Sequence, residues 1–181
     1  MSSEKTFQRL ALLAEFARRA RLGRTAIMKL CFFLQESRGV PLGYHFSIYS
    51  YGPFDSEVLA DITTAERLNV LKSSVVYYAS GSGYEYTEGS DAPSLHAFTS
   101  DFIEENSESI DWVFSHFAKK TAGELELLST ILFVAKFHNP RDADQLIGQV
   151  EIIKPHFSSE RIERGFDELV SIGVLRRAPI H

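Results

Sequence analysis

Cysteine is almost absent from this chain of 181 residues, since Cys31 is the only one. A single thiol excludes an internal disulfide framework and a structural metal site built from several thiolates. No uninterrupted apolar run approaches the roughly 18 residues that a membrane-spanning helix needs, and the first residues do not resemble a secretory signal. We therefore expect a cytoplasmic protein that does not associate with membranes.

Motifs for catalysis and for metal binding are also missing. No pair of histidines has the spacing of two metal ligands on one helical turn. Cys31 falls on an apolar helical stripe, where an inert buried thiol is expected. The glycine-rich residues 80–83 lead into a strand, whereas a phosphate loop leads into a helix. We predict that the protein is not an enzyme and has no cofactor and no metal.

The chain does have enough apolar residues for a core, at 44% of the sequence, and its charge is unevenly distributed. Residues 1–90 carry a net charge of +1, and residues 91–181 carry −6. Residues 16–35 contain five bases and no acid, while residues 91–111 contain six acids and neither Lys nor Arg. These two oppositely charged segments are candidates to face each other, within one chain or between chains.

Hydrophobic periodicity predicts a mixed first half. We expect helices, strands and a glycine-tipped hairpin in this order: helix 4–21, helix 26–37, strand 44–51, helix 55–68, and hairpin strands 70–78 and 84–87. Gly23 is the expected left-handed cap of the first helix, and Thr25 the expected cap of the second. Gly52-Pro53 is expected to end the strand, and Asp55 or Ser56 to cap the helix that follows.

The second half is predicted to be helical, over 93–119, 122–137, 142–152 and 158–172, with breaks at Pro140 and Pro155. Its last helix ends in Ile172-Gly173-Val174-Leu175, which echoes 68–71 in the first half. In both places we expect a left-handed cap, at Asn69 and at Gly173, and a Val-Leu pair that enters a small sheet. The echo fits a second, truncated winged-helix unit, and it equally fits an ordinary helix-to-strand junction. We predict an α+β, mostly helical protein, with a winged-helix-like unit at 1–90 and a helical region at 91–181 packed against it, as two domains or one.

A resemblance rests on the run Gly23 to Leu30, on Phe32-Phe33-Leu34-Gln35, on Tyr44 to Ile48, and on Tyr51-Gly52-Pro53-Phe54-Asp55. Over residues 5–90 the chain resembles the YwgA-like family of small bacterial proteins and, more distantly, Panacea-type (SocA-like) antitoxin domains. The resemblance implies a winged-helix-like fold without catalytic residues. The more distant relatives imply an antitoxin-like inhibitor.

DNA binding is the familiar role of a winged helix, but the charges disfavour its usual form. The third helix carries four acids, Asp55, Glu57, Asp61 and Glu66, against Arg67 alone. Contacts to DNA come mainly from Lys, Arg and neutral amides. If nucleic acid or an acidic partner is bound, we expect the contact at the basic set Arg18, Arg19, Arg21, Arg24 and Lys29. The alternative is that these residues are solvated or pair with the acidic segment.

Tyrosines and a phenylalanine cluster in and beside the predicted strands, and such residues are enriched at protein interfaces. The candidate interface residues are Tyr49, Tyr51, Phe54, Tyr77 and Tyr78. We predict a non-catalytic interaction or regulatory module that binds another protein, and a homodimer is compatible with the sequence. The alternative is a DNA-binding transcriptional regulator that uses the basic helices.

Overall fold

The computed structural model describes residues 2–78 and 81–177, with side chains for 3–77 and 81–177. It is an α+β protein with mostly helical secondary structure, as predicted. The elements in chain order are α1 (Ser2–Arg19), β1 (Leu22–Gly23), α2 (Arg24–Arg38), β2 (Ser47–Tyr49), β3 (Gly52–Phe54), α3 (Ser56–Arg67), β4 (Leu71–Tyr78), β5 (Gly81–Glu88), α4 (Ala92–Phe98), α5 (Ser100–Glu105), α6 (Ser107–Phe117), α7 (Ala122–Phe137), α8 (Ala143–Ile153) and α9 (Ser159–Ser171).

Two compact units are present, and both are discontinuous in sequence. The first unit comprises residues 1–45 and 55–120, and the second comprises 46–54 and 121–181. The short segment 46–54 therefore belongs with the last third of the chain, and residues 91–120 belong with the first unit. None of the described helices is long and apolar enough to cross a lipid bilayer.

The first unit has the element order of a winged helix. Strands β1, β5 and β4 form an antiparallel sheet in that spatial order, and α1, α2 and α3 precede the β4–β5 hairpin. The predicted hairpin, or wing, is thus confirmed, but its second strand begins at Gly81 instead of residue 84, so residues 81–83 lie in β5 and not in the turn. Ala79 and Ser80, which the prediction placed in the turn, lie outside the described residues. The helices bury a continuous core, in which the rings of Phe33 and Phe117 stack with centroids 3.8 Å apart.

The junction between α1 and α2 differs from the prediction. Gly23 has φ −79°, so it is not a left-handed cap, and it stands at the N-cap position of α2 in place of Thr25. The reason is a tertiary one, since Leu22 is buried and pairs with Tyr86 of the sheet. Pairing requires extended backbone, so the two-residue strand β1 replaces the predicted turn.

The ends of α3 follow the sequence prediction. The Asp55 side chain accepts a hydrogen bond from the Glu57 backbone N–H and caps the helix. Past the other end, Asn69 adopts a left-handed conformation with φ 53°, and buried Val70 leads into β4. Asparagine tolerates this conformation better than other residues with a β-carbon do.

The predicted single helix 93–119 is instead three helices, α4, α5 and α6. The breaks fall at Thr99 and Asn106. Thr99 Oγ1 donates to the Leu95 carbonyl at 2.8 Å, and Asn106 Nδ2 donates to the Phe102 carbonyl at 2.8 Å. Such side-chain bonds to the backbone compete with helical hydrogen bonding, which favours a break at these residues.

The second unit combines the hairpin β2–β3 with three helices, α7, α8 and α9. Helix α7 is buried on most of its surface and begins with a reciprocal capping box between Thr121 and Glu124. Gly173 is left-handed with φ 78°, as predicted. Val174 and Leu175 form no strand within the part of the chain described, so the predicted return to a sheet is wrong there.

Candidate interaction surfaces

The Tyr-Gly-Pro segment forms a hairpin instead of ending a strand. β2 pairs with β3 through Ser47–Phe54, Ile48–Pro53 and Tyr49–Gly52, and residues 50 and 51 make the turn. The prediction of one strand 44–51 stopped by Gly52-Pro53 is therefore wrong. Proline lacks a backbone donor, but a strand at a sheet edge tolerates it, and both strands here are edges.

Gly52 is required at the turn for two reasons. Its φ is 87°, a left-handed region that strains residues with a β-carbon. A β-carbon at this position would lie 3.1 Å from Thr130 Oγ1 and 3.2 Å from Ser129 Oγ on α7. Both hydroxyls donate to the Glu126 carbonyl, which holds them in place. The hairpin therefore packs tightly on α7 at this point.

The side chain of a buried lysine binds the backbone of the hairpin turn. Lys154 follows α8, and its side chain is 3% exposed. Its Nζ donates to the Tyr49 carbonyl at 3.0 Å and also to the Ser50 carbonyl. The same Nζ lies 2.8 Å from Glu126 Oε1, so the charge is paired with a carboxylate that is itself nearly buried. This arrangement satisfies the turn's carbonyls and fixes the position of the residues beside them.

The anchored hairpin presents tyrosines to solvent. Tyr49 is 61% exposed and Tyr51 is 74% exposed. Phe54 is half-buried, with its ring 5.2 Å from the Tyr49 ring. Three predicted interface residues thus lie together on one small structure, which we call the hairpin tip (residues 49–54). A rigid aromatic surface loses little conformational entropy when it binds a partner.

His156 lies at the edge of this arrangement. Its ring is 55% exposed at the side chain, with Nε2 3.3 Å from Glu126 Oε1 and with its ring 4.2 Å from the Phe157 ring. Within residues 2–78 and 81–177, no group of three or more His, Cys, Asp or Glu side chains has the arrangement of a metal site. In this cluster the contacts to the hairpin turn are those that Lys154 makes with the Tyr49 and Ser50 carbonyls.

The wing carries the other predicted aromatic residues. Tyr77 is 83% exposed on β4, and the Tyr78 side chain lies outside those the structure describes. Val75 and Tyr84 stand opposite each other on β4 and β5 and are about half exposed. The Arg24 guanidinium lies over the Tyr84 ring, 4.7 Å from its centroid. The wing belongs to the first unit and the hairpin tip to the second.

The predicted basic set is mostly engaged within the first unit. Arg18 and Arg19 both pair with buried Glu15, and Arg19 also lies 2.5 Å from Asp111 of the acidic segment. Arg24 donates to the Tyr86 hydroxyl at 2.8 Å. Lys29 is buried, so it cannot contact a nucleic acid from its place in α2. The structure thus supplies a contact of the kind expected between the two charged segments, and exposed Arg21 remains at the surface.

The acids of α3 are engaged as well. Asp55 caps the helix, and Glu57 lies 2.5 Å from Arg9. Asp61 is buried, with Oδ2 2.7 Å from Arg9 Nε and accepting a hydrogen bond from the Tyr44 hydroxyl at 2.8 Å. The Nε contact is ionic, and Arg9 Nη2 donates a hydrogen bond to Asp61 Oδ1 at 3.4 Å. The sequence pattern does not single out Arg9, because a cation beside the apolar stripe of a helix is common.

The pKa values of two carboxylates in the first unit, Asp61 and Glu15, are shifted in opposite directions. Burial raises the pKa of Asp61, and the Tyr44 hydrogen bond and the Arg9 charge offset that rise only in part. Burial also favours a higher pKa for Glu15, but hydrogen bonds from Arg18 and Arg19 outweigh it and lower the pKa. Burial raises the pKa of the Cys31 thiol, so that sulfur is not a thiolate nucleophile at neutral pH.

Comparison with known proteins adds no functional assignment: no protein-family model matches the chain, and no curated protein matches it. The geometry above is therefore the basis for a function.

Proposed function

We propose that this protein is a non-catalytic interaction module that binds another protein through the hairpin tip. The observation that carries the proposal is the combination of exposed Tyr49 and Tyr51 with the buried Lys154 that holds their turn. A buried charge costs free energy of desolvation, and here that charge holds backbone carbonyls beside solvent-exposed aromatic rings. Exposed tyrosine side chains are frequent hot spots of protein interfaces.

The resemblance to the YwgA-like family and to Panacea-type antitoxin domains supports a regulatory role for such a module. If the more distant resemblance holds, the bound protein is one that this chain inhibits. This inhibitor hypothesis involves the same surface and has the same test, because it adds only that binding inhibits the partner.

DNA binding is the second candidate function, and one observation favours it. The Asp55 carboxylate caps α3, the Asp61 carboxylate is buried, and Glu57 is paired with Arg9. The exposed surface of α3 is therefore less acidic than its sequence, and it includes Thr63 and Arg67. The basic set supports this candidate less, since Arg18, Arg19 and Lys29 are engaged or buried.

The test is capture of partners from native cell extract with the wild-type protein and with Tyr49→Ala/Tyr51→Ala, each with and without nuclease. We expect a stoichiometric protein that survives nuclease, and an affinity for it that falls at least about tenfold in the double variant, about 1.4 kcal/mol. The matched control is Tyr77→Ala, which removes a tyrosine of the wing that is 83% exposed.

Loss of the partner in Tyr77→Ala but not in the double variant would contradict the hairpin tip as the site. Recovery of DNA alone, lost at raised salt, would favour the second candidate, because phosphate contacts weaken steeply with salt.

A further inference from the structure

β4 lies at the edge of the wing sheet. It has eight residues, Leu71–Tyr78, and pairs on one side with β5. Among the residues described, no strand pairs with its other side. The backbone N–H and C=O groups on the outer side of an edge strand are a template for another strand.

This edge lacks the usual features that block strand pairing. The register with β5 runs without a bulge from Leu71–Glu88 to Tyr78–Gly81, and the strand contains no proline. Its single charge, Lys72, stands at the base of the wing. Natural edge strands are commonly protected by charges, prolines or bulges, so an eight-residue edge without them is suited to pairing.

The outer half of the wing also has little support of its own. β1 pairs with β5 only at Tyr86 and Glu85, so from Val75 outward the sheet is two strands wide. A two-stranded ribbon is marginally stable in water. Val75 and Tyr77 lie on one face of this ribbon and are 50% and 83% exposed. Additional strands would stabilise the ribbon and place side-chain neighbours beside these residues on the same face.

We propose that β4 pairs with β4 of a second copy of this chain, antiparallel about a two-fold axis that passes beside Val75. Each Val75 then stands opposite its symmetry mate, and each Tyr77 opposite Ser73. Since Val75 already faces Tyr84 across β4 and β5, the joined six-stranded sheet has a transverse row of four apolar side chains. This proposal concerns a surface other than the hairpin tip and does not rest on the proposed function.

A second copy fits this edge better than an unrelated strand because the strand is complementary to itself. In the proposed register identical apolar side chains meet at the axis. The two Lys72 charges lie six residues apart along the strands, which is about 20 Å. Two-fold pairing of identical surfaces is also the commonest symmetry of soluble oligomers.

Sedimentation equilibrium of the full chain tests the proposal. We expect the wild-type protein to dimerise as its concentration is raised. Val75→Lys places two like charges opposite each other at the axis, so we expect the dissociation constant of the dimer to rise roughly tenfold or more. Ile152→Lys is the matched control, since it replaces an apolar residue on α8 that is 82% exposed, and we expect its dimer to be unchanged.

Cysteine cross-linking tests the register even if Val75→Lys fails to fold. Opposed residues of antiparallel strands have Cα atoms about 4.5–5.5 Å apart, within reach of a disulfide. Val75→Cys should therefore form a covalent dimer on mild oxidation. Ser74→Cys should cross-link poorly, because its two Cα atoms would be about 8 Å apart. The native Cys31 is buried and does not compete.

A wild-type protein that stays monomeric at high concentration would overturn self-pairing, even if the edge then binds an extended peptide of another protein. A dimer that persists in Val75→Lys, or one that Ser74→Cys cross-links and Val75→Cys does not, would also overturn the proposed arrangement.

Discussion

Each unit contains a buried cation paired with a buried carboxylate, but the two pairs do different things. In the first unit Arg9 of α1 joins Asp61 and Glu57 of α3, so the pair connects one helix to another through side chains. In the second unit Lys154 forms an ion pair with Glu126 and donates hydrogen bonds to the carbonyls of Tyr49 and Ser50. The first pair fixes helix packing, whereas the second positions a turn.

The difference follows from the chemistry of the two cations. Arginine has a planar fork of donors that reaches two carboxylates at once, and Arg9 also lies over the Tyr44 ring, 5.0 Å from its centroid. Lysine is a compact charge with three donors that can point at converging backbone carbonyls. Of the two pairs, only the Lys154 pair contacts the turn through which we propose that a partner binds.

Removing Arg9 should have the largest effect. Arg9→Met leaves Asp61 buried without its cation, and we expect the free energy of unfolding to fall by about 3–5 kcal/mol. Chemical denaturation followed by circular dichroism measures this. Arg38→Met is the control, because Arg38 is exposed on α2. A loss no greater than the control's would show that the Arg9 pair does not fix helix packing.

Removing Lys154 should cost less stability but move the turn. Lys154→Met removes the buried cation that pairs with Glu126 and leaves His156 beside that carboxylate, and we expect the free energy of unfolding to fall by about 2–4 kcal/mol. The two turn carbonyls also lose their donor, so backbone amide exchange in 49–52 should accelerate more than in the wing. Exposed Lys119→Met is the matched control. Unchanged amide exchange at 49–52 would show that Lys154 does not hold the turn in place.

We expect the smallest effect from Gly52→Ala. Gly39→Ala is the comparison variant that separates backbone strain from contacts with α7. Gly39 is left-handed with φ 71° and has open space around it, so alanine there adds only backbone strain, about 1 kcal/mol. At Gly52 the same strain adds to contacts at 3.1–3.3 Å with α7, and we expect a further loss of about 1 kcal/mol or more. Thermal unfolding of the two variants compares them, and equal losses would mean that the hairpin does not pack tightly on α7.

The parts of the fold that follow local chemistry were predictable. The 3.6-residue stripes predicted α1, α2 and α3, and the Asp55 cap and the left-handed Asn69 were read from residue type. The β-branched and aromatic run after Val70 predicted the wing. Local signals were insufficient at Thr99 and Asn106, where the predicted long helix breaks.

The candidate site was predicted only in part. The tyrosines of the hairpin tip were singled out from their type and place, but the turn was read as the end of a strand. Nothing near Lys154 in the sequence points to Tyr49, which is 105 residues away. Arg9 and Asp61 are 52 residues apart. The expected exposure of Lys29 was wrong for the same reason, since burial depends on which elements cover α2.

The sequence by itself determined the apolar stripes of α1, α2 and α3 and the Asp55 cap, because each depends on side chains within a few positions of one another. Only the tertiary structure decided that residues 46–54 join the second unit, that Arg9 meets Asp61 and that Lys154 holds the turn. The physical reason is that a buried charge must find its partner wherever the folded chain brings one, and sequence distance does not encode that place.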